Sequence, residues 1–306
     1  MRDAAMAASD VDDESLRLRA AYWGYRTAEA LAMALPYAVA RPLFRGLGAI
    51  AYRVLDGVRD TVARNQARVL GVDARSEAAR AATREAFDLY ARYWLDTFRV
   101  RVISADELDR RTTVTGHAHI DAALAAGTGC VAVMPHMGNW DVAGHWLATH
   151  GYPTAAVAEQ VRPRRLFELF LRHREALGMR IIGLETDRHV GQQLTSLLAS
   201  NWLVGLVADR DLGGRGVDVE MFGAPRRLPA GPALLSITSG APLLMCTTTT
   251  TRNGWVVEIG PPLAFERTGT TRADVVALTT VIARAFERTI AAHPTDWHMF
   301  QPAWDP

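Results

Sequence analysis

From Val131 onward the chain alternates short apolar runs with amphipathic stretches, and few folds accept that pattern. Val131–Met134 is too short for a helix and breaks at Pro135, and helical periodicity then runs from Val142 to Thr149. Strand Thr154–Glu159, helix Pro163–Leu177, strand Arg180–Leu184, helix His189–Ser200 and strand Leu203–Val207 follow in turn. Strand, helix, strand in succession predicts βαβ units, hence an α/β fold with a central, mostly parallel sheet flanked by helices. Ala241–Thr251 and Trp255–Ile259 flank Arg252-Asn253-Gly254, a hairpin signal, and a last helix is expected over Arg272–Ala292.

The first half reads differently. Val54–Phe98 is helical throughout, with Phe87, Tyr90, Tyr93, Trp94 and Phe98 recurring as a stripe that suits a core. Before it, the apolar run Ala30–Ala40 is interrupted by Pro36 and is too short to cross a bilayer. Trp23, Leu31, Leu35 and Phe44, interleaved with Arg17, Arg19, Arg26, Arg41 and Arg45, suit a helical pair in a membrane interface; the same residues suit a hairpin capping its own core. The acidic, alanine-rich start does not read as a secretory leader. The organisation expected is a helical membrane-associating segment over 1–53 and an α/β domain over 54–306.

A net charge of +1 across 306 residues gives no basis for nucleic-acid binding. All 34 basic side chains other than histidine are arginine, which genome base composition explains and which also suits bidentate contacts to phosphates. Cys130 and Cys246 fall in apolar runs and read as buried small hydrophobes. His117-x-His119 lacks a third ligand at a matching spacing, so no metal is expected.

No Gly-x-Ser-x-Gly, His-Glu-x-x-His, P-loop or dinucleotide fingerprint is present. What remains is His136, in the loop that leaves the Val131–Met134 strand, with two candidate carboxylates, Asp141 and Asp209, each just past a strand. The ends of strands are where open α/β sheets collect ligands. In His136-x4-Asp141 the carboxylate can hold one imidazole nitrogen while the other faces a substrate. Asp209 reaches the same histidine if its strand is a neighbour. A base alone suffices when the electrophile is already activated, as a thioester is.

Pro135-His136-Met137-Gly138-Asn139-Trp140-Asp141 resembles the His-x4-Asp/Glu motif of the bacterial lipid A late acyltransferases, within the lysophospholipid acyltransferase group. More narrowly, the chain resembles the actinobacterial phosphatidylinositol mannoside acyltransferases. Tyr90–Trp94, Val157–Glu159, Arg174–Gly178, Asp209–Leu212, Phe222-Gly223, Pro229–Ala233 and Asp296–Met299 occur in that family's order. The resemblance implies transfer of a fatty acyl group from acyl-CoA, a co-substrate with no further cofactor, to the 6-hydroxyl of a mannose on a membrane glycophospholipid. The place implied is the cytoplasmic face of the plasma membrane, against its anionic surface. It makes His136 the base and Asp209, where relatives usually carry glutamate, its partner, with Asp141 fixing the loop or sharing the role. It puts Glu159 and Arg174 in the active-site groove and Arg215 beside the acyl-CoA; Asn139, inside the motif, is counted with the substrate-binding residues. Two rivals stand at this point: an acyl-CoA enzyme with another glycolipid or lysophospholipid acceptor, and a membrane-peripheral lipid-binding protein in which His136 merely satisfies a polar loop.

Overall fold

A computed structural model describes residues 16–304 except 160, 185–188 and 268. The acidic start of the chain, residues 1–15, and the side chain of Arg17 therefore lie outside the described residues. A seven-stranded sheet forms the centre, from β1 (Thr112–Thr115), β2 (Cys130–Met134), β3 (Thr154–Ala158), β4 (Arg180–Gly183), β5 (Leu203–Val207), β8 (Leu243–Thr250) and β9 (Trp255–Pro262), in the order β1-β9-β8-β2-β5-β3-β4. Every pairing is parallel except β8 with β9, the hairpin expected from the sequence.

Strands buried on both faces must be apolar at every position, which is why β2 and β5 read as unbroken apolar runs. Val131 and Val133 point to the face covered by α9 (Val190–Ala199), α10 (Gly231–Ser239) and α11 (Thr271–Ala292), and Cys130 and Ala132 to the face covered by α6 (Ala118–Ala125) and α7 (Trp140–Thr149). Burial pushes both cysteine thiols up to about 12, in keeping with their reading as small hydrophobes.

The long helical region contains a break absent from its periodicity. α3 (Asp56–Leu70) ends at Gly71, which takes the left-handed conformation at φ 65°, and α4 (Glu77–Val100) starts afresh where the Ser76 side chain accepts a hydrogen bond from the Ala79 N–H. Two short elements were also illegible: α5 (Ala105–Arg111), and a hairpin of β6 (Val217–Met221) and β7 (Ala224–Leu228) that forms a second, two-stranded sheet. Its two-residue turn is Phe222-Gly223 with φ of 53° and 69°. Such turns favour Asn-Gly, so a phenylalanine there hides the signal; tertiary contacts hold it, with the Phe222 N–H donating to Glu287 and its ring edge-on to Trp304.

α1 (Leu16–Ala34) and α2 (Tyr37–Val54) are the expected helical pair. They pack on α4 through Ala32, Ala40, Phe44, Leu95 and Phe98, and a two-pronged Arg41–Asp88 pair at 2.9 Å ties α2 to α4. Phe44, expected to point at lipid, is therefore core, and Leu35 packs against the same cluster. The outward face of α2 is instead Val39, Leu43, Leu47, Ile50 and Val54, at steps of four, four, three and four residues. Among the described residues no helix is long and apolar enough to cross a membrane.

Candidate active site

β2 and β5 are neighbours in register, Met134 opposite Val207. Each strand stops there, and each carries a polar residue two places on: His136 and Asp209. Their side chains meet, with His136 Nδ1 2.5 Å from Asp209 Oδ1. The His136 N–H donates to Asp209 Oδ2 at 3.1 Å, so the shorter aspartate side chain works because the two backbones lie close. Trp297 Nε1–H donates to the same Oδ2 at 2.8 Å, and Arg226 donates to the Asp209 carbonyl. Asp209 is fully buried. Burial alone would raise its pKa, but His136, Arg226 and the Trp297 N–H hold the carboxyl well below the usual range, so it is ionised. Arg226 lies over the rings of Trp297 and Trp304 at 5.2 Å each.

Asp141 does not play the part its spacing offered. It starts α7, and its carboxylate accepts from Arg174 Nε at 2.8 Å and Tyr93 Oη at 3.3 Å, with Thr97 at the edge of hydrogen-bonding distance. The helical turn aims it at α4 and α8 (Arg164–Ala176), while the His136 ring turns toward β5. Burial opposes the charge on Arg174, yet Asp141 and Tyr93 outweigh it and keep the guanidinium above its ordinary pKa. Asn139, counted above with the substrate-binding residues, is buried and occupied: Oδ1 caps α7 by accepting from the Val142 N–H at 3.1 Å, and Nδ2 points to Tyr93 O and Thr97 Oγ1. It shapes the loop from behind.

The loop carrying His136 is fastened to the C-terminal segment. Gly138 N–H donates to Asp296 O at 3.0 Å, His298 N–H to His136 O at 2.7 Å, and Thr248 Oγ1–H to Met137 O. Gly138 sits at φ 56°, and a Cβ there would lie 2.2 Å from Thr248 O, so only glycine fits. His298 is buried, and burial, aided by His136, pulls its pKa down to about 4; as a neutral ring it donates Nε2–H to Gly138 O at 2.9 Å. Trp297, His298, Arg226 and Trp140, whose ring meets the imidazole edge-on at 5.4 Å, were not singled out from the sequence as site residues. The available signal was Asp296-Trp297-His298: a polar cluster holding a tryptophan, whose buried N–H needs an acceptor.

His136 lines a cavity of about 950 Å³, and its Nε2 has no partner among the described residues. Glu159 and Arg174 line the same cavity, and Glu159 pairs with Arg210 at 3.2 Å. Tyr90, Tyr93 and Trp94 of the α4 stripe face it as well. Deeper in, Ala132, Ala143, Gly144, Gly205 and Cys246 form an apolar wall of small side chains. Arg215 is exposed on the loop next to Asp211–Gly213, which line the cavity. His117 and His119 lie at the start of α6, and among the described residues no group of three metal-ligating side chains forms.

Residues 11–305 match the family described as Bacterial lipid A biosynthesis acyltransferase. The chain belongs to that family. It is an acyltransferase with an α/β fold, and it is 39% identical over 289 residues to the Phosphatidylinositol mannoside acyltransferase of Mycobacterium tuberculosis, covering 92% of this chain and 88% of that one. It is 37% identical over 285 residues to the Phosphatidylinositol mannoside acyltransferase of Mycolicibacterium smegmatis, covering 92% and 90%.

Proposed function

We propose that this acyltransferase moves a fatty acyl chain from acyl-CoA to the 6-hydroxyl of a mannose on a phosphatidylinositol mannoside, with His136 as general base. The observation that carries this is the pairing of His136 Nδ1 with an ionised, buried Asp209 while the ring borders a large cavity with an apolar depth. Acceptor identity rests on the names of the two mycobacterial relatives. His136 Nε2 takes the hydroxyl proton as the oxygen attacks the thioester carbonyl. The C–S bond then breaks, and the leaving sulfur receives the proton from the imidazolium, which Asp209 stabilises meanwhile. General-base help of this kind is worth ~10²–10⁴ in rate; no covalent acyl-enzyme is required. The acyl chain takes the apolar depth of the cavity, where the small side chains leave room.

Such an acceptor keeps its own tails in the bilayer, so the enzyme works at the interface, on this reading at the cytoplasmic face of the plasma membrane. The exposed α2 stripe and Trp23, with Arg45 and Arg53 alongside, supply an apolar face and charges for anionic lipid. Tyr25 of α1 packs on Trp94 and Phe170, which both line the cavity, so the lipid-facing helices share a wall with it.

The test is to incubate the full chain with palmitoyl-CoA and follow both free CoA and acylated lipid. CoA release should require mannosylated phosphatidylinositol and match the lipid product formed. Release that ignores the acceptor, or an equal response to a lysophospholipid, overturns the assignment.

A further inference from the structure

A second, smaller cavity of about 390 Å³ lies between α1, Arg101 just past α4, and α8. Arg26 and Glu29 of α1, Arg101, and Arg172 and His173 of α8 line it. We propose that this cavity binds the phosphate of an anionic phospholipid headgroup and so holds the acceptor while its sugar reaches His136. The proposal rests on the acyl-transfer reading for the acceptor's role, but its own test does not need turnover.

Charge is the first argument. Three guanidiniums face one carboxylate, and Glu29 already draws on two of them, Arg26 at 2.9 Å and Arg101 at 3.6 Å. The set is short of negative charge, and a phosphate oxygen would share Arg26 and Arg101 with Glu29. Arginine's planar fork suits that geometry better than a point charge does.

His173 is the second argument and does not depend on the first. Its side chain is only 6% exposed, yet neither Nδ1 nor Nε2 has a hydrogen-bond partner. Leaving a buried polar group unpaired is costly, and native structures seldom do so without a ligand or water to satisfy it. Burial also pushes the ring's pKa down, so the neutral form offers one N–H to an entering oxyanion. His173 borders both this cavity and the large one, and the next residue is Arg174, the partner of Asp141. A headgroup phosphate on one side of His173 therefore lies one residue along α8 from a residue that lines the cavity of His136.

Position favours a lipid over a soluble phosphate. Arg26 stands one turn from Trp23 on α1, and both are exposed, Trp23 by 63%. An aromatic that enters the interface beside an arginine that meets phosphate is the usual way a helix reads a headgroup. The competing source of the same chemistry is the phosphates of CoA.

The experiment is calorimetric titration of the full chain with glycerophosphoinositol, a soluble phosphodiester without acyl tails, and separately with CoA. Arg26→Gln combined with Arg172→Gln should weaken glycerophosphoinositol binding by roughly tenfold or more and leave CoA binding the less affected. Glu29→Gln, which removes the competing carboxylate, should tighten it. Arg75→Gln with Arg80→Gln removes equal charge at the other end of α4 from Arg101 and should match wild type. The assignment is overturned if wild type does not bind, if the two arginine pairs weaken binding equally, if Glu29→Gln does not tighten it, or if CoA binding is what the first pair loses. Failure of acyl transfer with this binding intact would sink the proposed reaction and leave the site standing.

Discussion

His136 and Asp209 are 73 positions apart in the chain and meet because each stands two residues past the same rung of a parallel ladder, Met134 opposite Val207. The dyad is thus a consequence of register. One residue more or less in either strand exit would move the carboxylate away from Nδ1.

If His136 is the base, His136→Ala should lower acyl transfer by ~10²–10⁴ while the far-ultraviolet circular dichroism spectrum stays the same. The side chain sits on a loop at the cavity wall, outside the apolar clusters. A variant retaining a tenth or more of wild-type rate would end the general-base assignment.

The two carboxylates should separate by what they damage. Asp209→Asn keeps the shape but cannot stabilise an imidazolium as the proton moves, so turnover should collapse. Asp141→Asn leaves Arg174 without its counter-charge at a site where Asp141 is almost fully buried. That should cost about 3 kcal/mol of stability, read as a lower urea midpoint, with the smaller loss of turnover in protein that remains folded. Should Asp141→Asn prove the worse for turnover at equal folded fraction, the partner of His136 has been misassigned.

Gly138→Ala should disable the enzyme without touching a reacting atom. The new Cβ would meet the backbone oxygen of Thr248 at 2.2 Å, and φ at that position is 56°. Backbone cannot yield as a flexible side chain does, so the loop must shift and take His136 with it. The expected result is a loss of rate comparable to that of His136→Ala, together with a lower melting temperature. Wild-type kinetics in Gly138→Ala would show that the loop tolerates movement.

His298 supplies an acid-sensitive term of known sign. Its folded pKa is pulled down to about 4, against ~6.5 for an unfolded imidazole. Between those values the unfolded chain binds a proton that the folded protein does not, so the stability is present above ~6.5 and is lost as pH falls toward 4, by about 2 kcal/mol at pH 5. Urea unfolding at pH 7.5 and pH 5 should show that loss in wild type and a smaller one in His298→Gln. Equal losses in both would mean that the ring is not held neutral.

How far the site could be read from the chain follows from what each residue's neighbours are. His136 and Asp209 were legible because apolar strand runs announce their own ends, and both residues stand just beyond one. Strand order was not legible, and it alone decides between Asp209 and Asp141: local spacing favours Asp141, while the register brings Asp209. The α/β architecture was plain in the alternation. The Phe222-Gly223 hairpin was not, since its turn uses a residue that rarely adopts positive φ, and with it went Arg226 and the hold it has on the Asp209 backbone. Asn139 illustrates the opposite error. A polar residue inside a catalytic motif invites a role toward substrate, but here it caps a helix and faces Tyr93 and Thr97.

The membrane face gives the last test, and the burial pattern decides how to run it. Removing the chain through Arg45 would strip Ala32, Ala40 and Phe44 from Leu95 and Phe98, so lost binding could reflect lost folding. Leu47 and Ile50 are 43% and 54% exposed on α2 and belong to none of the apolar clusters among the described residues, so charging them leaves packing intact. Leu47→Glu with Ile50→Glu puts two carboxylates where apolar side chains would enter the headgroup region, against an anionic surface that repels them. Binding to phosphatidylinositol-containing liposomes should fall at least tenfold, while the melting temperature and turnover of a soluble, short-chain acceptor hold. Wild-type binding should also weaken in part at high salt, because the arginine contribution is screened and the apolar one is not. If the doubly charged variant sediments with liposomes as wild type does, α2 serves as a lid on α4 and the lipid contact lies on another face.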